Sequence, residues 1–258
     1  MLKLFFYCFF IVFLFSSCTP SYPKETLLTD IKKLVKKESG QDCELSKIND
    51  TIYLDMQTEG LTSTNTKVVN EAIVNLQNAV FAITRVALSS DADIKIMVIT
   101  AHDPNYNIAL RMFQNIDDVK SYFYQRISRG DYEQRQLLEF EGPETAEISV
   151  MDRHHITEEE YVARLVISQI NMIGRKNQVL GPLISTLGLR YGYIKYGNIY
   201  ILSKKSNNVG TEDLLKKIIF DEVVKNLQKY KLFAIKSVII LDSKGSIVFE
   251  VPIDINKR

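Results

Sequence analysis

Apolar residues return at three- and four-residue intervals over Leu27, Leu28, Ile31, Leu34 and Val35, with Lys32, Lys33, Lys36 and Lys37 set between and after them. That spacing predicts a basic amphipathic helix, and Gly40 is a plausible stop. Two short runs follow, Asp42–Ile48 and Thr51–Gln57, joined at Asn49-Asp50. In the second, Ile52, Leu54 and Met56 alternate with Tyr53, Asp55 and Gln57, which is strand periodicity. Gly60–Asn65 reads as loop. The clearest helix spans Thr66–Leu88, with the stripe Val69, Ala72, Ile73, Leu76, Val80, Ile83 and Ala87. Ile94–Thr100, a turn at His102-Asp103-Pro104-Asn105, and Tyr106–Phe113 predict a hairpin. A helix over Asp117–Arg129 ending near Gly130, and a strand at Leu137–Glu141, close this part.

Glu141-Gly142-Pro143-Glu144 reads as a junction. Beyond it the pattern predicts a strand at Ala146–Met151, a helix at Glu158–Ile173, and a break at Gly181-Pro182. Paired strands at Leu189–Lys195 and Ile199–Lys204 follow, then a helix at Thr211–Tyr230. Strands at Leu232–Leu241 and Ile247–Val251 flank the turn Asp242-Ser243-Lys244-Gly245. The expected fold is α+β: two consecutive βαββαβ modules of ferredoxin-like, split βαβ type. They occupy residues 41–142 and 143–258, after a basic helix and linker in 18–40. No residue-level repeat accompanies the repeated order.

The start of the chain has a different pattern. Lys3 is followed by an unbroken apolar run, Leu4–Phe15, and then by Ser16-Ser17-Cys18-Thr19-Pro20. A charged end, an apolar stretch and small residues before a cut site are the parts of a secretory signal. Twelve helical residues rise about 18 Å at ~1.5 Å each, short of the roughly 30 Å hydrocarbon core of a bilayer. Phe15-Ser16-Ser17-Cys18 resembles the lipobox of bacterial lipoproteins, with Phe15 where leucine is usual. The resemblance covers residues 1–20 alone. It implies removal of residues 1–17, diacylglycerol on the Cys18 sulfur, and usually a fatty acid such as palmitate on the new amino group. Thr19, in place of the aspartate that marks inner-membrane retention, points mildly to the outer membrane.

Charge narrows the possible partners. The chain carries 32 basic and 31 acidic residues. Lys3 belongs to the leader, so the mature chain balances to zero, which argues against a nucleic-acid partner. The distribution is uneven: Asp131–Glu160 is acid-rich and Lys195–Lys236 leans basic, as two solvated faces or as docking surfaces for an oppositely charged partner. Of the three cysteines, Cys8 leaves with the leader and Cys18 takes lipid. Cys43 then stands alone, with no internal disulfide available.

Candidate chemistry concentrates in Asp152-Arg153-His154-His155-Ile156-Thr157-Glu158-Glu159-Glu160. Asp152, His154 and His155 are candidate metal ligands, since imidazole and carboxylate suit zinc or iron. A local alternative is a capping box in which Thr157 and Glu160 satisfy each other's backbone N–H groups. Ile156 and Tyr161 then take the staple positions. His102-Asp103 ends a strand, where catalytic groups often sit, but Pro104-Asn105 makes a turn explanation sufficient. The tyrosine clusters Tyr122-Phe123-Tyr124 and Tyr191, Tyr193, Tyr196, Tyr200 could stack on glycan or peptide, or pair across a sheet. No nucleophile elbow, paired-histidine zinc motif or phosphate loop occurs. The expectation is a membrane-anchored envelope lipoprotein without cofactor, held by lipid on Cys18 and contacting other envelope proteins. A ligand-binding lipoprotein is the alternative, and a metal-dependent hydrolase using His102, Asp152, His154 or His155 is a third.

Overall fold

A computed structural model describes residues 21–61, 65–141, 153–176, 180–203, 212–229 and 235–253. Helix α1 (Leu27–Ser39) leads into strands β1 (Cys43–Ile48) and β2 (Thr51–Gln57), helix α2 (Thr66–Leu88), and strands β3 (Ile96–Asp103) and β4 (Ile108–Asn115). Short helices α3 (Ile116–Phe123) and α4 (Arg129–Arg135) precede β5 (Leu137–Glu141). The second half begins with α5 (Glu158–Lys176) and α6 (Leu180–Leu187), followed by β6 (Leu189–Lys195) and β7 (Asn198–Ser203). Helices α7 (Glu212–Ile218) and α8 (Lys225–Lys229) are joined by a π-helical turn, Ile219–Val224, and β8 (Ser237–Leu241) and β9 (Ile247–Pro252) complete the order. The class is α+β, as expected. The strand expected at Ala146–Met151 lies outside the described residues. Among the described residues no helix is long and apolar enough to cross a membrane.

Both sheets run in chain order, β1-β2-β3-β4-β5 and β6-β7-β8-β9. This departs from the interleaved order of a ferredoxin-like module, in which the last strand returns beside the first. The reason is local. A two-residue turn at Asn49-Asp50 sets β1 antiparallel along one edge of β2, and β3 pairs parallel along the other. Neither edge of β2 is left, so β5 extends the sheet on β4. Helix α2 supplies the crossover that a parallel pair requires.

The second unit repeats this scheme. β6–β7 is an antiparallel hairpin, β7–β8 is parallel across a helical crossover, and β8–β9 is antiparallel. Backbone bonds recur at corresponding places. Lys95 N donates to Asp50 O at 2.8 Å and Ile116 N to Lys95 O at 2.8 Å; Lys236 N donates to Gly197 O at 2.7 Å and Ile253 N to Lys236 O at 2.7 Å. The second hairpin turn has Tyr196 and Gly197 both at positive φ, 54° and 78°, matching the right-handed twist of its strands.

The first sheet is covered on both faces. Ile52, Leu54, Met56, Met97, Ile99 and Ala101 point to one side and meet Leu27, Ile31 and Val35 of α1 and Leu76, Ala79, Ile83 and Val86 of α2. Tyr53, Ile96, Val98, Phe113 and Leu137 point to the other and join the cluster of α5, which includes Tyr161, Val162 and Leu165. That cluster continues into Ile199, Ile201, Val238, Ile240, Phe249 and Val251 of the second sheet. Double coverage explains why β3 opens with a continuous apolar run, Ile96–Ile99, and why Tyr53 of β2 is buried on the face opposite Ile52 and Leu54. Strand β7 alternates instead: Ile199 and Ile201 are buried, Tyr200 and Leu202 half-buried. Tyr200 pairs across the strands with Tyr193, the rings stacked at 5.1 Å.

Several local expectations are corrected. Helix α2, at 23 residues, is about 35 Å long at ~1.5 Å per residue, and the strands beneath are shorter. Its first turns overhang, and Ile73, expected in the stripe, is 42% exposed. The single helix expected over Asp117–Arg129 is two: Gln125 sits at φ 57°, and Ser128 starts a new helix by accepting from Asp131 N at 3.1 Å. Gly130 therefore lies inside α4. Pro182 does not break α6 but occupies its first turn, where its missing N–H has no helical partner to lose.

Candidate functional site

Register places Glu44, Asp55, Thr100, Arg111 and Glu139 in one line across the first sheet, on the side facing α5. The apolar row beside it, Tyr53, Val98, Phe113 and Leu137, is sealed by α5. The charged line marks where that apolar cover gives way to polar contacts. Arg153, just before α5, reaches Asp55 at 2.5 Å and Glu44 at 3.6 Å, and donates to Ser46 Oγ at 3.2 Å. Farther along, Arg164 engages Glu160 at 2.9 Å and Glu139 at 3.2 Å. Its guanidinium also lies 5.4 Å from the centroid of the Phe113 ring.

Residues 153–156 form a strap across β2. Tyr53 Oη donates to His154 O at 2.5 Å, and Ile156 N donates to Thr51 Oγ1 at 3.1 Å. His154 Nε2 lies 2.9 Å from Glu160 Oε2; His155 Nε2 lies 2.6 Å from Asp50 Oδ1. The two histidines thus meet different carboxylates, one on α5 and one in the β1–β2 turn. Burial pushes the Tyr53 hydroxyl up from its ordinary range, opposed by the His154 N–H that donates to its oxygen at 3.3 Å. Asp152 lies outside the described residues. Among the described residues no group of three or more His, Cys, Asp or Glu side chains is arranged to hold a metal ion.

The capping box at the start of α5 is half present. Glu160 N donates to Thr157 Oγ1 at 3.1 Å, and Ile156 and Tyr161 are buried at the staple positions. The Glu160 carboxylate, however, serves His154 and Arg164. A charged partner outcompetes the neutral backbone N–H that the box would offer it.

His102 is half-buried near the end of β3, and its carbonyl accepts from Thr58 N at 2.8 Å. The group with the larger structural role is its neighbour. Asp103 is fully buried; Oδ2 accepts from Gly60 N at 2.9 Å and Leu61 N at 3.2 Å, and Oδ1 from Asn105 N at 3.1 Å. Asp242 shapes the β8–β9 turn in a similar way, accepting from Lys244 N and Ser246 N at 2.8 Å.

Two further buried groups carry no signal in the local pattern. Asp118 of α3 pairs with Arg135 of α4, both side chains 8% exposed, and Tyr161 donates its hydroxyl to the Arg135 carbonyl. Burial holds the Asp118 carboxyl above the usual aspartate range, with Arg135 pulling it back down. Cys43 is buried and free, and burial raises its thiol.

Chemically the arrangement is a scaffold of ion pairs. Asp55, Glu139 and Glu160 are each engaged by an arginine, and Asp50 and Glu160 by a histidine. A shallow groove beside α2, lined by Lys67, Asn70, Glu71, Val74 and Asn75, is separate from it. Comparisons with protein-family models, curated proteins and solved structures give no match for this chain.

Proposed function

We propose that this chain is a lipoprotein of a bacterial cell envelope, held at a membrane by lipid on Cys18, with a body that acts as a non-catalytic protein-interaction or assembly module. The observation that carries the proposal is the leader: twelve apolar residues, Leu4–Phe15, ending in Ser16-Ser17-Cys18. Two or three acyl chains, at about 0.8 kcal/mol per buried CH₂, suffice for stable anchoring where one does not. Thr19 favours the outer membrane where there are two. The role of the body draws support from the histidines, which tie the strap to Glu160 and Asp50.

The test is the intact mass of the mature protein together with fractionation of a Cys18→Ala variant. A chain beginning at Cys18 and bearing acyl groups, with the variant lost from membranes, is expected. A mature protein of any other start, or without acyl mass, refutes the proposal. A second reading, a ligand-binding lipoprotein, draws on the α3–α4 corner. There Phe123 and Tyr124 are 58% and 69% exposed, Arg126 lies 5.5 Å from the Tyr124 ring centroid, and Tyr122 stacks on Tyr132 at 4.7 Å. Such a surface suits a glycan or peptide, and binding of glycan fragments that Tyr124→Ala abolishes would favour it.

A further inference from the structure

Helix α1 buries Leu27, Ile31 and Val35 against the body and turns Lys32, Lys33, Lys36 and Lys37 outward. These lysines form two like-charge pairs four residues apart, an arrangement that disfavours itself. Only Lys36 meets a carboxylate, Asp42 at 2.7 Å; among the described residues Lys32, Lys33 and Lys37 make no ion pair. The nearby acids are otherwise engaged. Asp30 accepts from the Thr26 hydroxyl at 2.6 Å, and Glu38 pairs with Arg85 at 2.7 Å.

Helix α2 lies beside α1 on the same face of the first sheet. It exposes Val74 and Phe81, 51% and 59% accessible. Seven residues apart, they share a helix face, opposite the one that packs on the sheet. The outer surface of this two-helix layer therefore combines a lysine stripe with exposed apolar groups, the composition of a surface that sits in a membrane interface.

The chain also limits how far this layer can stand from Cys18. Tyr22 is pinned by a β-bridge to Ser90 and by its N–H to Ser89 O at 3.4 Å; Lys24 N donates to Asp91 Oδ1 at 2.7 Å. Tyr22 lies four chain steps beyond Cys18, a reach of at most about 14 Å. Helix α1 is about 20 Å long at ~1.5 Å per residue, so a body pivoting on Tyr22 can lay it along the surface.

We infer that the outer surface of the α1–α2 layer is the membrane-facing side of the protein, with Lys32, Lys33, Lys36 and Lys37 on anionic phospholipid headgroups and Phe81 and Val74 at the acyl boundary. It rests on lipid at Cys18, as proposed above. Each lysine brought to an anionic surface favours contact about fivefold.

The test uses the full acylated protein in vesicles of phosphatidylcholine alone, or of phosphatidylcholine and phosphatidylglycerol in equal parts. Lysine acetylation read by mass spectrometry should fall several-fold at Lys32, Lys33 and Lys37 in the anionic vesicles. High salt should restore it, and the exposed Lys236 and Lys244 should not change. The chain has no tryptophan, so Phe81→Trp adds a single fluorophore. Its emission should shift to the blue in anionic vesicles and be quenched by brominated lipid. Equal acetylation in both vesicle types, or an unshifted Phe81→Trp emission, overturns the inference while the acyl mass on Cys18 leaves the lipoprotein proposal standing. Protection in intact cells but not in vesicles also overturns it, because a protein then covers the surface. A mature protein without acyl groups removes the lipoprotein proposal itself.

Discussion

Replacing Asp103 by alanine isolates the contribution of one buried carboxylate to the fold. Three backbone N–H groups lose their acceptor: Gly60 at 2.9 Å, Leu61 at 3.2 Å and Asn105 at 3.1 Å. Asn105 is exposed, so water replaces its bond at little cost. Gly60 is buried and Leu61 half-buried, and a buried donor left unpaired costs about 1–3 kcal/mol. The carboxylate bonds are charge-assisted, near the upper end of that range. The expected loss is about 3–5 kcal/mol, a large share of the roughly 5–15 kcal/mol that holds an ordinary domain. Asp103→Asn keeps one oxygen acceptor and turns an amide NH₂ toward the other donors, so it should lose about half as much. Equilibrium urea unfolding of the non-lipidated Cys18→Ala background, followed by far-ultraviolet circular dichroism, gives both numbers. A loss below about 1 kcal/mol for Asp103→Ala, at unchanged m-value, would show that the Gly60–Leu61 turn does not depend on this side chain.

Other consequences follow from single contacts. A Cβ on Gly181 would lie 2.9 Å from the Gly174 carbonyl oxygen, so Gly181→Ala should lower stability by about 1–3 kcal/mol. Gly130, where a Cβ would make only an ordinary contact with Ser128 Oγ at 4.0 Å, should gain up to about 1 kcal/mol as alanine; thermal melts of the two variants should move in opposite directions. Cys43 is 4% exposed and its thiol is raised by burial, so iodoacetamide should label it only after denaturation; rapid labelling of native protein would contradict its burial. Asp118 holds its proton more tightly when folded than when unfolded. Its contribution is therefore present below the unfolded aspartate pKa and declines as pH rises from there through the higher folded value. Asp118→Asn should flatten that decline in a stability–pH series, and an unchanged slope would refute the assignment.

Much of the element order was legible because both periodicities are strong. Tyr53, Asp55 and Gln57 could be assigned to one side of β2 from alternation alone. What that side faces could not. Arg153 and Asp55 lie far apart in the chain, and local patterns say nothing of a strap that crosses a sheet. Glu160 illustrates the same limit. Its position three residues after Thr157 signals a cap, yet Arg164 and His154, brought in by the fold, claim its carboxylate. His154 and His155, adjacent in sequence, suggested a shared metal. The strap directs their rings to Glu160 and Asp50, and Asp152 lies outside the described residues. The Asx-turn role of Asp103 toward Asn105 was within reach of turn chemistry, whereas its bonds to Gly60 and Leu61 were not. The split between α3 and α4 has a local signal, Ser128 three residues before Asp131, whose hydroxyl caps a second helix that runs through Gly130.

Helix α5 is wedged between two sheets, so neither can be dissected away cleanly. A fragment ending at residue 142 would keep every strand of the first sheet but bare Val98, Phe113 and Leu137 to water on its underside, inviting self-association. The two halves should accordingly melt in a single cooperative step, and truncations that respect the apparent boundary should be harder to purify than the intact body.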